Sequence, residues 1–261
     1  MAEYGLSMLI EKEDGTLFDT GQGLAIINNL KALGREPENI RRAVISHGHY
    51  DHTGGLIPFL KYRNAETPVY VHETAFNEKY ALLQTPEGNS LLDIGMQSSR
   101  EEYEKAGARF MTVSGFAPIA PGITSISSVF RQPGWKSWDR QLKQKVAGEI
   151  TDDPFDDDMS LLIDTDSGPV VLLGCAHAGI VEILNDISRL TGHLEFHAVM
   201  GGTHLGSAPE DYVNRAIETI RHYRVKKLAV SHCTGFRVAA RFAAEFRREF
   251  EPATTGTVFE F

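Results

Sequence analysis

Three histidines and an aspartate fall within six consecutive positions, in the run Ser46-His47-Gly48-His49-Tyr50-Asp51-His52. The apolar stretch Ala43-Val44-Ile45 precedes it, and the pair Gly54-Gly55 follows it before apolar residues resume at Leu56. Strand residues alternate between two faces and helix residues spread around an axis, so neither element turns all four side chains toward one point. The run therefore predicts a loop between a buried strand and a helix. Neutral imidazoles and a carboxylate are good ligands for divalent ions. His47 and His49 can reach one ion, and Asp51 and His52 a second one nearby. The plainer reading, polar residues at a helix start with Asp51 as its N-cap, leaves the crowding unexplained.

The rest of the chain alternates strand and helix patterns. Strands are expected at 6–10 and 16–18 around the turn Lys12-Glu13-Asp14-Gly15, and at 43–46 and 69–72. Helical spacing marks 23–33, closed by Gly34, and 56–62. The second half repeats the rhythm, with strands at 161–164, 170–173, 196–200 and 228–231 and helices at 180–190, 212–223 and 239–250. Two halves of matching character predict an α/β fold of two sheets packed face to face with helices outside. Residues 84–158 hold both tryptophans and the turn signals Pro118, Pro121-Gly122 and Pro133-Gly134. They are expected to form an inserted cap on a single domain spanning 1–261.

Acidic residues number 35 against 26 basic ones, a formal charge of −9. Such a surface repels phosphate backbones and anionic lipid, which argues against nucleic-acid and membrane partners and for a small-molecule substrate. No apolar run reaches the roughly 20 residues needed to span a bilayer. The first residues lack a basic region and cleavage site, and two cysteines make no disulfide framework. Cytoplasmic location is the expectation, and a homodimer is left open.

His47-Gly48-His49-Tyr50-Asp51-His52 resembles the His-x-His-x-Asp-His signature of the metallo-β-lactamase superfamily, and Leu17-Phe18-Asp19-Thr20-Gly21 is similar to its first motif. Four further segments extend the likeness: 68–72, Gly174-Cys175-Ala176-His177, Gly201-Gly202-Thr203-His204 and Ser231-His232-Cys233-Thr234. Together they resemble the group of dihydropterin–ribofuranosylaminobenzene-phosphate synthases, assigned to methanopterin biosynthesis. The resemblance implies an αββα four-layer sandwich with the metal site at an edge between the sheets. It implies His47, His49, Asp51, His52 and His232 as metal ligands, with Asp19 supporting them from behind. The chain also departs from the superfamily pattern. No histidine occurs between His72 and His177, and Gly174-Cys175 stands where Gly-Asp is usual. His177 is the expected replacement ligand, with Cys175 the competing one. Asp157 or Asp158, in the acidic run 152–158, can supply an oxygen where the missing histidine would sit.

His204 follows two glycines after a strand and is a candidate acid/base, Asp51 being the other catalytic candidate. Arg131, Trp135 and Trp138 can stack on a flat heterocycle or pair with a phosphate. Gly21-Gln22-Gly23 is read as loop geometry, not as a phosphate cradle. The expected protein is thus a metal-dependent enzyme holding one or two divalent ions, zinc first and iron or manganese as alternatives. Hydrolysis of a small anionic or heterocyclic substrate by a metal-activated water is the leading chemistry. Alternatives are the synthase-type condensation, a transferase reaction, and a non-catalytic metal- or ligand-sensing module.

Overall fold

Parallel strands joined by helices aim all their C-terminal ends the same way, and both halves of the chain exploit this. A computed structural model describes every residue except Glu13 and Glu87; Glu13, in the turn expected between the first two strands, lies outside the described residues. The chain forms two compact units, residues 1–113 with 139–157, and residues 114–138 with 158–261.

In the first unit β1 (Met8–Glu11) and β2 (Gly15–Phe18) pair antiparallel, with Leu9 opposite Leu17. β3 (Ile40–Val44), β4 (Thr67–Val71) and β7 (Ala108–Thr112) then add in parallel, in the order β1-β2-β3-β4-β7. Helices α1 (Ile26–Ala32), α2 (Tyr50–Thr53), α3 (Leu56–Arg63) and α4 (Arg100–Lys105) fill the connections. Ile26, Leu30, Leu56, Phe59, Leu60 and Tyr103 from them pack with Leu17, Ala43, Ile45, Val69 and Val71 in one apolar core. A second, antiparallel sheet in this unit has the order β11-β10-β5-β6, from β5 (Glu78–Thr85), β6 (Gly88–Asp93), β10 (Leu142–Val146) and β11 (Glu149–Asp152).

The second unit is built on one six-stranded sheet, β15-β14-β13-β12-β9-β8. Its members are β8 (Phe116–Ala120), β9 (Ile123–Ile126), β12 (Ser160–Ile163), β13 (Val170–Leu173), β14 (Ala198–Gly202) and β15 (Lys227–Ser231). β13, β14 and β15 run parallel, and the rest pair antiparallel. The core gathers Ile183, Leu184 and Ile187 of α5 (Ile180–Thr191), Val213, Ile217 and Ile220 of α6 (Glu210–His222), and Val238 and Phe242 of α7 (Gly235–Glu245). Every residue of β12 and β13 is buried, as their unbroken apolar runs require. Among the described residues no helix is long and apolar enough to cross a membrane.

Three expectations change. Residues 84–158 are not one cap: β7 extends the first sheet, β8 and β9 extend the six-stranded sheet, and only β6, β10 and β11 join the extra sheet begun by β5. The turn signals at Pro118, Pro121-Gly122 and Pro133-Gly134 mark breaks in this stretch, but they carry no record of the strands between them or of the sheet that accepts each one. The helix expected at 23–33 begins only at Ile26, because Gly23 is left-handed at φ +104° and the Glu3 carboxylate accepts from the N–H groups of Gln22, Gly23, Leu24 and Ala25. The loop does cradle an anion, and that anion is the protein's own Glu3. The helix expected at 239–250 runs earlier, over Gly235–Glu245. Its tail leaves to pair with β15, where the Leu228 N–H donates to the Glu249 carbonyl at 2.7 Å.

Truncating the core of the second unit tests this packing. Leu184→Ala removes a fully buried side chain, and urea unfolding is expected to show a loss of about 2–5 kcal/mol.

Candidate metal centre

β2, β3 and β4 are parallel neighbours, so the residues just past their C-terminal ends gather at one edge of the first sheet, the usual ligand edge of such sheets. Past β2 comes Asp19, past β3 the run from Ser46 to His52, and past β4 His72. Asp19 is fully buried with left-handed φ +60°. Its Oδ1 accepts from the Ser46 N–H at 2.7 Å, and its Oδ2 accepts from the Ser46 hydroxyl at 2.7 Å and faces His52 Nδ1 at 2.6 Å.

These bonds settle the histidine tautomers. Opposite a carboxylate, His52 Nδ1 carries the proton, which leaves the Nε2 lone pair free to coordinate. Ser46 spends its own proton on Asp19, so its oxygen accepts from His47 Nδ1 at 2.8 Å. His47 Nε2 is then also a lone pair, and it faces His49 Nδ1 at 3.0 Å. Two ligand nitrogens on a tetrahedral zinc with bonds near 2.0–2.1 Å sit about 3.3 Å apart. The donor chemistry and spacing therefore suit a divalent cation. Asp51 Oδ2 lies 3.8 Å from His52 Nε2, on the same cluster. Burial pushes the His49 imidazole down to about 3, against the smaller opposing influence of Asp51, and keeps it in the neutral form a metal requires.

Gly48 between the two histidines is tightly held. A side chain there would fall on the Ala75 carbonyl oxygen. Its N–H donates to Asp157 Oδ2 at 3.0 Å, while Asp157 Oδ1 accepts from the Lys79 ammonium at 3.0 Å. Lys79 also donates to Asp153 Oδ2 at 2.8 Å. Burial alone raises the Asp157 carboxyl, but the Lys79 charge and the Gly48 N–H outweigh it and hold the group below the usual range. Burial, then the Asp157 charge, push Asp153 up. His72 caps the turn Glu73–Phe76, its Nδ1 accepting from the Thr74 N–H at 3.3 Å.

The second unit repeats the plan. β13, β14 and β15 end in Gly174-Cys175-Ala176-His177, Thr203-His204 and His232-Cys233. Ala176, His204 and His232 all take left-handed φ values, 55°, 50° and 53°. Such strain, of order 1–3 kcal/mol per residue, clusters where side chains must be aimed. Donor atoms of Cys175, His232 and Cys233 lie within 4.8 Å of one another, as do those of Cys175, His177 and His204. Both expected replacements, His177 and Cys175, are thus present in one cluster. Burial pushes the Cys233 thiol up, but hydrogen bonds from Cys175 and His204 and the nearby His232 bring it well below the ordinary thiol range.

Asp157 and Asp158, either of which the sequence offers as an oxygen donor, each accept a backbone N–H. Asp157 braces Gly48, and Asp158 Oδ2 accepts from the Ala178 N–H at 2.9 Å, steadying the turn that carries His177. Trp138 stacks on His204 with ring centroids 5.0 Å apart, and His204 lies 4.1 Å from His177. Arg131 instead covers the Trp135 ring at 4.5 Å. Sequence reasoning missed Lys79 and Asp153. The available signal was a lysine inside a strand that needs acidic partners, with an acidic run downstream.

The His49 shift carries a pH dependence. In metal-free protein its folded value of about 3 lies below the unfolded value of 6.5. Its contribution is therefore whole above pH about 6.5 and is lost as pH falls toward about 3, by at most roughly 1.4 kcal/mol per pH unit. Urea midpoints in the presence of chelator should fall more steeply between pH 7 and pH 4 for wild type than for His49→Gln.

Comparison with known proteins agrees with this geometry. The family model described as the metallo-β-lactamase superfamily matches residues 2–136, just over half of the chain. A 7,8-dihydropterin-6-methyl-4-(β-D-ribofuranosyl)-aminobenzene-5'-phosphate synthase of Methanocaldococcus jannaschii is 30% identical over 269 aligned positions, covering 100% of this chain and 90% of its own length. The crystal structure of Tm1679, described as a metal-dependent hydrolase of the β-lactamase superfamily, superposes with a TM-score of 0.84 at 27% identity, over 99% of this chain and 92% of that one. Zn(2+)-bound PqqB from Methylobacterium extorquens shares the fold at a TM-score of 0.59 and 11% identity, over 98% of this chain and 86% of that one. With its histidine loop at the ends of parallel strands and these likenesses along its full length, the chain belongs to the metallo-β-lactamase superfamily and has its mixed α/β fold.

Proposed function

We propose that the protein is a metal-dependent enzyme acting on a small-molecule substrate, in which His47, His49, Asp51 and His52 are the metal ligands of the first unit and His177 and His232 the candidate ligands of the second. The observation that carries this reading is the facing pair His47 Nε2 and His49 Nδ1, 3.0 Å apart, close to the roughly 3.3 Å that separates two nitrogens on one tetrahedral zinc. A bound divalent ion such as zinc would supply Lewis acidity and lower the pKa of a coordinated water from about 15.7 to roughly 7. The chain's own residues do the rest. Asp19 and Ser46 hold the imidazoles in the coordinating tautomer, and the Asp51 carboxylate orients the attacking water and accepts its proton. In the second unit His204, braced on Trp138, is the candidate acid or base. Hydrolysis is the first reaction class, supported by the 27% identical metal-dependent hydrolase.

A second reading, condensation of a dihydropterin with a ribofuranosylaminobenzene phosphate, is supported by the 30% identical synthase matched over the whole chain. In that case the same site activates a leaving group, and the stacked Trp138 suits a flat heterocycle.

Elemental analysis of purified protein should find at least one divalent transition metal per chain. A panel of phosphodiesters, esters, lactones and thioesters, run beside the dihydropterin pair, should then show turnover that Asp51→Asn lowers by about 10²–10⁴-fold. Full turnover in Asp51→Asn would reject the role of Asp51, and bound metal without turnover on either set would favour a sensing module.

A further inference from the structure

Lys79 is 1% exposed in an antiparallel sheet that supplies no metal ligand to the cluster, yet a buried lysine needs a compelling reason. Both of its hydrogen-bonded partners, Asp153 and Asp157, are buried as well, at 4% and 1%. One of them reaches past the ammonium to the backbone between two metal-binding histidines: Asp157 Oδ1 accepts from Lys79 and Oδ2 from the Gly48 N–H, each at 3.0 Å. On its other side Gly48 is pressed against the Ala75 carbonyl. The peptide that spaces His47 from His49 is thus clamped between a carboxylate and a carbonyl.

We propose that Asp157, oriented by Lys79 and Asp153, is a positioning residue that fixes the Gly48 peptide and thereby the aim of His47 and His49 at the metal. This rests on the metal reading of the His47–His49 pair given above. Only a carboxylate serves here, because it accepts on both oxygens. An amide would turn its NH2 against either the Lys79 ammonium or the Gly48 N–H. Asp153 supplies the second negative charge that holds the ammonium in place, and its Oδ1 is itself fixed by the Phe155 N–H at 2.8 Å. Partners one step behind metal ligands commonly govern affinity by 10–100-fold. Here the step acts through a backbone amide and not through an imidazole.

The test is titration of chelator-stripped protein with Co(II), read by its visible ligand-field bands and by competition with a chelator. Wild type, Asp157→Asn, Asp157→Ala and Leu184→Ala are compared, with thermal unfolding of each metal-free form. Both Asp157 variants should bind Co(II) about 10–100-fold more weakly and with altered bands. Leu184→Ala, far from this loop in sequence and in the other unit, should lose stability but keep wild-type affinity within about threefold and wild-type bands. Where Asp157→Ala does not fold, the nearly isosteric Asp157→Asn decides. Wild-type affinity and bands in a folded Asp157→Asn would overturn the positioning role while leaving the metal reading intact. A wild type that takes up no Co(II) would instead overturn the metal reading on which the role depends.

Discussion

The buried carboxylate of Asp19 is the fixed point of the histidine loop. A charge with no solvent contact must have its lone pairs filled by donors, or it costs several kcal/mol. Asp19 meets that requirement with the Ser46 N–H, the Ser46 hydroxyl and His52 Nδ1. Because each donor is itself part of the loop, satisfying the charge and shaping the loop are the same event. The Ser46 hydroxyl passes the constraint on to His47 Nδ1, so one carboxylate dictates the proton positions of two imidazoles. The left-handed backbone of Asp19 is the strain that accompanies this placement, and the bonds to Ser46 and His52 hold it there.

The second unit reaches an equivalent end with sulfur. Cys233 Sγ accepts from the His204 N–H at 3.2 Å and lies 3.7 Å from the Cys175 carbonyl oxygen. It therefore touches the chain just past β13 and β14 while belonging to the segment past β15. Gly202 makes room for it, since a side chain at that position would meet the sulfur at 2.8 Å. The pair Gly201-Gly202 before His204 makes space for Cys233 and for the close approach of β13 at the Leu173 carbonyl.

What could be read from sequence were contacts among near neighbours and positions at strand ends. The His47–His52 spacing, the Asp19 motif and the strand-to-loop exits at His177 and His232 are local patterns, and the strands that present them formed close to where periodicity placed them. Contacts across long stretches of chain leave no such pattern. Lys79 and Asp153 are 74 positions apart, and Gly48 and Asp157 are 109 apart. A lysine and an aspartate that far apart look like two solvated surface groups, and a glycine N–H gives no sign of its partner, until folding buries them together. The same blindness explains why residues 84–158 looked like one insertion: three sheets recruit strands from that stretch, and edge strands are accepted by pairing, not by any signal of their own.

The two donor sets differ in kind, and the difference follows from the strand exits. The first unit offers nitrogen and oxygen from a loop whose proton positions are already assigned by Asp19. The second offers two sulfurs, Cys175 and Cys233, of which Cys175 stands where the superfamily pattern has an aspartate. Thiolates favour softer ions and select against magnesium and calcium, which prefer oxygen cages. Taken unit by unit, the imidazoles of the first and the sulfurs of the second are both donors that suit zinc or iron better than magnesium or calcium.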